Sequence, residues 1–433
     1  MTAGEAALLL FSTFGVLVFL RVPVSFALGI ACLPVLLIDP RMSPFILMER
    51  TFKAYWSFIL LAVPFFLLAA NLMNMAGITD RLINLSKVAV GHLPGGLGHI
   101  NVLVSMLFAG ISGSSTADAA GIGKLLIPAM VKQGYDVRFS VAITACSSVM
   151  GVIIPPSILM VVWGGVMSVS IGALFLAGVI PGVCIAGAMM ATVYAYAKVY
   201  KYPIYHRSTL RELLPAFGGA VFALLTPVII VAGIVFGIFT PTESSVVAVI
   251  YTLIIGVVLY RTINARKFVH AVYDTGRFAA ISLFCIGTAS AFGNLLAYYK
   301  VPAALVEWIA AMSLGRIETG FMIAAAFLLI GLFIDAIPAI IILGTILFPV
   351  ATSVGMHPVH FAIIGVISLA FGLVTPPYGL CLLIASAIGG ISVVKALKDV
   401  AIVLLPMLGI LTLVILLPDL ILWLPRLVMP QFM

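Results

Sequence analysis

Apolar residues run along this chain in long stretches separated by short polar segments, and Gly and Pro recur inside the stretches as well as between them. A helix crossing a bilayer needs about 20 apolar residues. The stretches predict ten crossings, at 5–20, 22–38, 57–76, 139–168, 171–198, 213–237, 243–260, 276–297, 358–388 and 399–423. Two further apolar regions, 95–132 and 318–354, are each long enough for two short helices. Each has a polar or kinked centre, Ser112-Gly-Ser-Ser-Thr-Ala-Asp118 in the first and Asp335-Ala-Ile-Pro338 in the second. Such a centre facing lipid leaves backbone groups unpaired; it is tolerated where it is buried in protein or lines an aqueous cavity. Both regions therefore predict re-entrant hairpins that enter and leave on one side. Stretches at 41–55, 79–90, 301–313 and 391–398 mix charged with apolar residues and predict connecting arms along the interface.

The breakers repeat. Gly151-Val-Ile-Ile-Pro155-Pro156 has a second copy at Gly372-Leu-Val-Thr-Pro376-Pro377, 221 positions later. The same offset pairs Gly110 with Gly331, Gly123 with Gly344, Pro128 with Pro349 and Gly134 with Gly355, as well as Leu126 with Leu347, Ile143 with Ile364, Ser147 with Ser368 and Leu159 with Leu380. Apolar composition inflates chance matches of Leu or Ile but does not align breakers, so the chain is read as a duplication whose halves share breaks in apolar helices. In membrane proteins, duplicated broken helices point to a transport site near the midplane.

Charge placement adds orientation. With the N-terminus outside and the hairpins not crossing, only Arg41, Arg50, Lys53, Lys300, Arg316 and Arg426 of the 22 Lys and Arg fall outside. The rest lie inside, including the basic loops 198–211 and 261–277, as the positive-inside rule requires. Five crossings per half then make the repeats inverted, with both termini periplasmic. Composition agrees: 64% hydrophobic and 8% charged residues exclude a soluble fold. The net charge of +8 sits in short loops and signals orientation, not nucleic acid. Cys32, Cys146, Cys184, Cys285 and Cys381 lie in apolar stretches without CxxC spacing, which excludes a disulfide framework or zinc site. Residues 1–20 lack a basic leader and cleavage site and are read as a retained first span.

The chemistry sits at the breaks. Pro155 and Pro156 supply no N–H, so carbonyls one turn upstream lose their partners. Free carbonyls at a half-helix C-terminus carry partial negative charge and, with a hydroxyl, suit a small hard cation such as sodium; in the second copy Thr375 adds a side-chain oxygen. The alternative is a kink that only shapes packing. The hydroxyls of Ser112, Ser114, Ser115 and Thr116 at a half-helix N-terminus suit a carboxylate ligand, or serve as a small-residue packing face. Asp335 is an intramembrane carboxylate, functional by default, and also good N-cap chemistry. Thr242 and Glu243 are expected to cap a helix. Lys124 either snorkels or pairs with Asp118. His92, His99, His206, His270, His357 and His360 are scattered, and no His/Asp/Glu cluster, Walker loop, nucleophile elbow or HExxH occurs. The reading is not an enzyme, and transport draws on an ion gradient.

Taken together, Ser112-Gly-Ser-Ser-Thr-Ala117, Gly151-x-x-x-Pro-Pro156, Thr240-Pro-Thr-Glu243, Asp335-Ala-Ile-Pro-Ala339 and Thr375-Pro-Pro377 resemble the large permease (M) subunit of TRAP transporters, within the ion-transporter superfamily. The likeness runs nearly the whole length. It implies an all-α, elevator-type, sodium-driven transporter in the bacterial inner membrane. Such a transporter takes an organic anion, a carboxylate or sugar acid, from a periplasmic binding protein beside a small four-helix Q subunit, here on a separate chain. It implies a first sodium site of Ser112, Ser115, Gly151, Ile154 and Pro156, and a second of Gly331, Gly372, Thr375 and Tyr378. Substrate would face Ser114, Ser115, Thr116 and Asp335. The expected division is 1–56 scaffold, 57–170 first transport region, 171–212 helix and loop, 213–275 scaffold, 276–390 second transport region, and 391–433 terminal arm and helix. No organic cofactor is implied; lipids and the substrate are the remaining partners, and nucleic acid is not one. A stand-alone sodium–dicarboxylate symporter of the same superfamily is the alternative; a channel is a further one.

Overall fold

In the computed structural model, which describes residues 1–205 and 210–432, the apolar stretches are helical and no strand occurs among the described residues. The first half runs α1 (Ala3–Phe19), α2 (Val24–Ile38), α3 (Phe45–Tyr55), a 3-10 turn (Phe58–Leu61) into α4 (Ala62–Met75), α5 (Ile78–Val90), α6 (Gly96–Ser112), α7 (Ser115–Lys132), α8 (Val137–Ser148), α9 (Ile158–Met167) and α10 (Ile171–Tyr200). The second half runs α11 (Leu210–Val235), α12 (Pro241–Ile254), a π-helical turn (Ile255–Leu259), α13 (Ala265–Tyr298), α14 (Val301–Ala311), α15 (Arg316–Gly331) and α16 (Ala336–Ala339). A second π-helical turn (Ile340–Gly344) then leads into α17 (Thr345–Ser353), α18 (Pro358–Gly372), α19 (Leu380–Gly389), α20 (Val393–Leu416) and α21 (Pro418–Val428). Moving α6–α9 along the chain by the 221-residue offset brings their bounds close to those of α15–α19.

Among the described residues seven helices are long and apolar enough to cross a membrane. Six coincide with expected crossings; the seventh, Ala336–Ser353, lies in the second expected hairpin. The crossings expected at 139–168 and 358–388 are pairs of shorter helices interrupted at the two Pro-Pro pairs, both of which contain a cis bond. Three arms appear as α3, α5 and α14. The fourth does not: 391–398 runs into α20, because no breaker separates Val393 from the crossing. That crossing stops at Leu416, since Leu417 precedes Pro418 and sits at φ −119°, ψ 73°, outside the helical region. The loop expected at 261–277 is helical from Ala265, capped by Asn264 accepting from the Lys267 N–H at 2.9 Å. At 34 residues α13 spans about 50 Å; its counterpart in the first half is divided into α3 and α4 by an extended Ser57. Residues 206–209 of the loop expected at 198–211, with His206, lie outside the described residues.

The upstream halves of the broken helices form the centre, with every residue buried over 139–153 and 359–374. The two halves fill that centre differently. In the first, Asn101 Nδ2 donates to Thr144 Oγ1 at 2.7 Å, and Ser147 Oγ donates to Asn101 Oδ1 at 2.9 Å. Around the second, Trp163 of α9 packs with Phe327 and Phe361, and Gly365 leaves room for its ring. A buried polar group left without a partner costs about 1–3 kcal/mol, so the mutual bonds of Asn101, Thr144 and Ser147 help hold the first centre, while the second is filled mainly by shape.

Around this centre the helices sort by contact. α6–α10 pack with α15 and α18–α20, whereas α4 lies along α12, and α13 along α2 and α3. The crossing expected at 57–76, placed by sequence with the first hairpin, has its most extensive packing on α12, in the expected scaffold, and packs also on α13 and α6. α5 bridges α6 and α11, and α14 bridges α17 and α1. Arg81 of α5 stands 3.7 Å above the Tyr260 ring and donates to the Gly219 carbonyl at 3.5 Å. Phe19, Leu214 and Val228 remain exposed on the outer helices, as lipid-facing positions do.

Candidate functional site

The first hairpin turns at Gly113, whose φ of 62° is left-handed and favours glycine. Ser114 is extended and stands at the N-cap of α7, and Ser114 Oγ and Thr116 Oγ1 are 3.2 Å apart. Ser115 and Asp118 are three apart and share the inward face of the first turn. Ser112 Oγ donates to Asp118 Oδ1, and Ser115 Oγ donates across to the Val149 carbonyl of the broken helix at 3.3 Å. Asp118 is wholly buried and its Oδ2 has no hydrogen-bond partner. A Cβ added at Gly151 would stand 2.5 Å from that oxygen and 3.0 Å from the Ser115 nitrogen, so glycine is what lets the break approach the hairpin. Among the expected first-site residues, Ser112, Ser115 and Gly151 converge on this point. Pro156 presents its carbonyl to Gly113, and the Ile154 side chain packs on Gly182 of α10.

The second hairpin closes on the second break in the same way. A Cβ on Gly372 would stand 2.8 Å from the Gly331 backbone, the Thr375 N–H donates to the Gly372 carbonyl at 3.1 Å, and the Tyr378 N–H donates to the Leu332 carbonyl at 2.9 Å. All four expected residues, Gly331, Gly372, Thr375 and Tyr378, therefore meet at one place. Thr375 Oγ1 donates to the Phe371 carbonyl at 2.8 Å, which leaves its lone pairs available. Asp335 caps α16, accepting from the Ala336 N–H at 2.8 Å.

Between the two tips lies a cavity of about 280 Å³. Ser114, Ser115 and Thr116 line it from the first tip and Asp335 from the second, so the four expected substrate residues share one space. Its remaining walls include Val63 and Leu67 of α4 and Phe278 and Ser282 of α13. Asp335 is the one charged side chain on its lining among the described residues. The arrangement offers hydroxyls and helix N-termini for an anion, and buried oxygens flanking it for small cations. A buried carboxylate oxygen without a partner costs several kcal/mol; a small cation held beside Asp118 would remove that cost, and the oxygen donors of Asp118, Ser115 and the Val149 carbonyl are of the type a hard cation takes.

Other expectations change. Lys124 is exposed and does not pair with Asp118, which bonds to Ser112 instead. The cap of α12 is Thr240, not Thr242: Thr240 Oγ1 accepts from the Glu243 N–H while Glu243 Oε2 accepts from the Thr240 N–H at 2.8 Å. Thr242 instead donates to the Phe58 carbonyl at 2.8 Å. The residue that sequence reading undervalued is Asp118. Its signal was the three-residue spacing from Ser115, but its neighbour Gly151 is distant in the chain.

Compared with known protein families, residues 11–420 match the one described as tripartite ATP-independent periplasmic transporter, DctM component. The chain is 36% identical over 411 residues to the sialic acid TRAP transporter large permease protein SiaM of Vibrio cholerae, covering 95% of this chain and 96% of that one. It is 37% identical over 409 residues to the isethionate TRAP transporter permease protein DctMQ of Oleidesulfovibrio alaskensis, covering 94% of this chain and 64% of the longer relative. Among solved structures, the Alcanivorax borkumensis YdaH transporter matches with a TM-score of 0.55 at 14% identity, covering 81% of this chain and 84% of that one, a likeness of fold alone.

Proposed function

The chain belongs to the DctM component family of tripartite ATP-independent periplasmic transporters, and on that premise we propose that it imports an organic acid by coupling to sodium, moving a hairpin-bearing core against a fixed frame. The single observation that carries this reading is the cavity lined by both hairpin tips, flanked on each side by a helix break drawn against its hairpin through glycine. A substrate carboxylate meets the Ser114–Thr116 hydroxyls and the start of α7, while Asp335 accepts from a substrate hydroxyl. With an acid in the lining and an acid as cargo, binding needs compensating charge, and sodium beside Asp118 and beside Thr375 supplies it. The core comprises α6–α10 and α15–α20. The frame is α1–α4 and α11–α13, a division supported by the packing of α4 on α12 and of α13 on α2. α5 and α14 link the two.

A periplasmic binding protein delivers the substrate, and a small membrane subunit on its own chain braces the frame in the bacterial inner membrane, with both termini periplasmic. Relatives named for sialic acid and isethionate transport support an organic acid as cargo. The test is uptake in proteoliposomes containing the two membrane subunits and the receptor, with sodium varied across candidate acids. Uptake is expected to require both sodium and the receptor. Full uptake without the receptor identifies the stand-alone symporter, and sodium-independent uptake sinks the coupling.

A further inference from the structure

Away from the cavity, the start of α8, the end of α10 and the start of α20 meet around a groove of about 720 Å³. Its rim is aromatic: the Phe139 and Tyr196 rings stack at 4.4 Å between centroids, and Tyr200 stacks on Tyr196 at 5.5 Å. The rim also carries charge of both signs. Arg138 grips Asp136 through Nε and Nη2, which leaves Nη1 outside that pair. Tyr196 donates its hydroxyl to Asp399 Oδ1 at 3.0 Å, leaving Oδ2 open, with Lys398 adjacent on the lining. Below the rim the walls become smooth: Ala188, Ala191 and Ala195 of α10 face Ile402 and Leu405 of α20. That face descends about 16 Å from Val199 to Ala188. The groove thus pairs a polar, aromatic mouth at the level of the basic loops with an apolar wall below it.

We propose that this groove binds a phospholipid with a primary ammonium in its headgroup, of the ethanolamine class. The ammonium donates to Asp399 Oδ2 at the aromatic rim, the phosphate meets Lys398 and Arg138 Nη1, and one acyl chain lies on the alanine face. The choice of headgroup follows from charge. Asp136 and Asp399 balance Arg138 and Lys398, so a purely anionic lipid leaves Asp399 facing negative charge. A choline headgroup has no N–H for Asp399 to accept.

The test is native mass spectrometry of the full-length chain in detergent with equal amounts of phosphatidylethanolamine, phosphatidylcholine and phosphatidylglycerol. A partly exposed ammonium–carboxylate contact is worth up to about fivefold, and that preference for phosphatidylethanolamine is expected. Asp399→Asn keeps an oxygen for the Tyr196 hydroxyl and removes only the charge; it is expected to erase the preference without altering lipid-free thermal melting. Ala191→Trp fills the groove and is expected to lower retention of all three lipids. Equal retention of the three by the unaltered chain, best retention of phosphatidylglycerol, or a preference that survives Asp399→Asn overturns the proposal, as does occupation of the groove by a co-purifying protein helix.

Discussion

Asp118 concentrates the residue-scale chemistry, because one of its oxygens is held by Ser112 and the other faces the backbone at Gly151 without a partner. Asp118→Asn keeps the size and the Ser112 contact but removes the charge. Loss of a group that merely supports a metal ligand costs about 10–100-fold in affinity. At least that rise is expected in the sodium concentration giving half-maximal uptake, and unchanged sodium activation removes Asp118 from the site. Gly372 tests the second break. A Cβ there lies 2.8 Å from the Gly331 backbone, which has no flexible side chain to yield. Gly372→Ala is expected to destabilise by about 1–3 kcal/mol and to abolish uptake. Gly187→Ala, with no atom within 4 Å of the added carbon, is expected to melt and transport like the unaltered chain. Equal melting of the two variants would show that close approach at Gly372 is dispensable.

At the scale of elements, the join between α2 and α3 is pinned to the end of α13. Arg41 donates through Nε and Nη2 to the buried Asp39 carboxylate, and the Tyr299 hydroxyl donates to Asp39 Oδ2 at 2.8 Å. The Arg41 guanidinium, helped by Tyr299 and opposed by burial, holds the Asp39 carboxyl well below the usual carboxylate range. A depressed folded-state value means that the staple stabilises fully above the unfolded value of about 4 and fades as pH falls below it. The gap in melting temperature between the unaltered chain and Asp39→Asn is therefore expected to be constant near neutrality and to narrow progressively as pH falls below about 4. A gap unchanged down to pH 2 would show that the carboxylate charge plays no part. Sequence periodicity located α2, α3 and α13 but not this link, since it joins residues 260 positions apart.

Taken whole, the molecule places the cavity between its two groups of helices: Leu67 lines it from α4 and Leu159 from α9. If the core slides against the frame, a bifunctional thiol crosslinker joining Leu67→Cys to Leu159→Cys across the cavity locks them. With the five native cysteines replaced, treatment with a crosslinker that contains a cleavable disulfide is expected to reduce uptake to background, and reduction to restore it. Full uptake by the crosslinked protein would rule out sliding at this interface. Hydropathy grouped the crossing at 57–76 with the hairpin that follows it; packing attaches α4 to α12, which lies far along the chain.

What the chain determines locally was legible in its sequence. The membrane class, the helix breaks and the paired hairpin tips follow from hydropathy and from prolines that lack an N–H, properties of a residue and its chain neighbours, whereas the grouping of Gly331, Gly372, Thr375 and Tyr378 came only from the family resemblance. The tertiary structure alone decided which oxygens converge. Asp118 faces Gly151 and not Lys124, Thr242 reaches Phe58 while Thr240 does the capping, and α20 absorbs the arm expected at 391–398. Each of the first two outcomes turns on a neighbour brought near by folding; a hydroxyl or carboxylate has several local options, and the packed surroundings select among them.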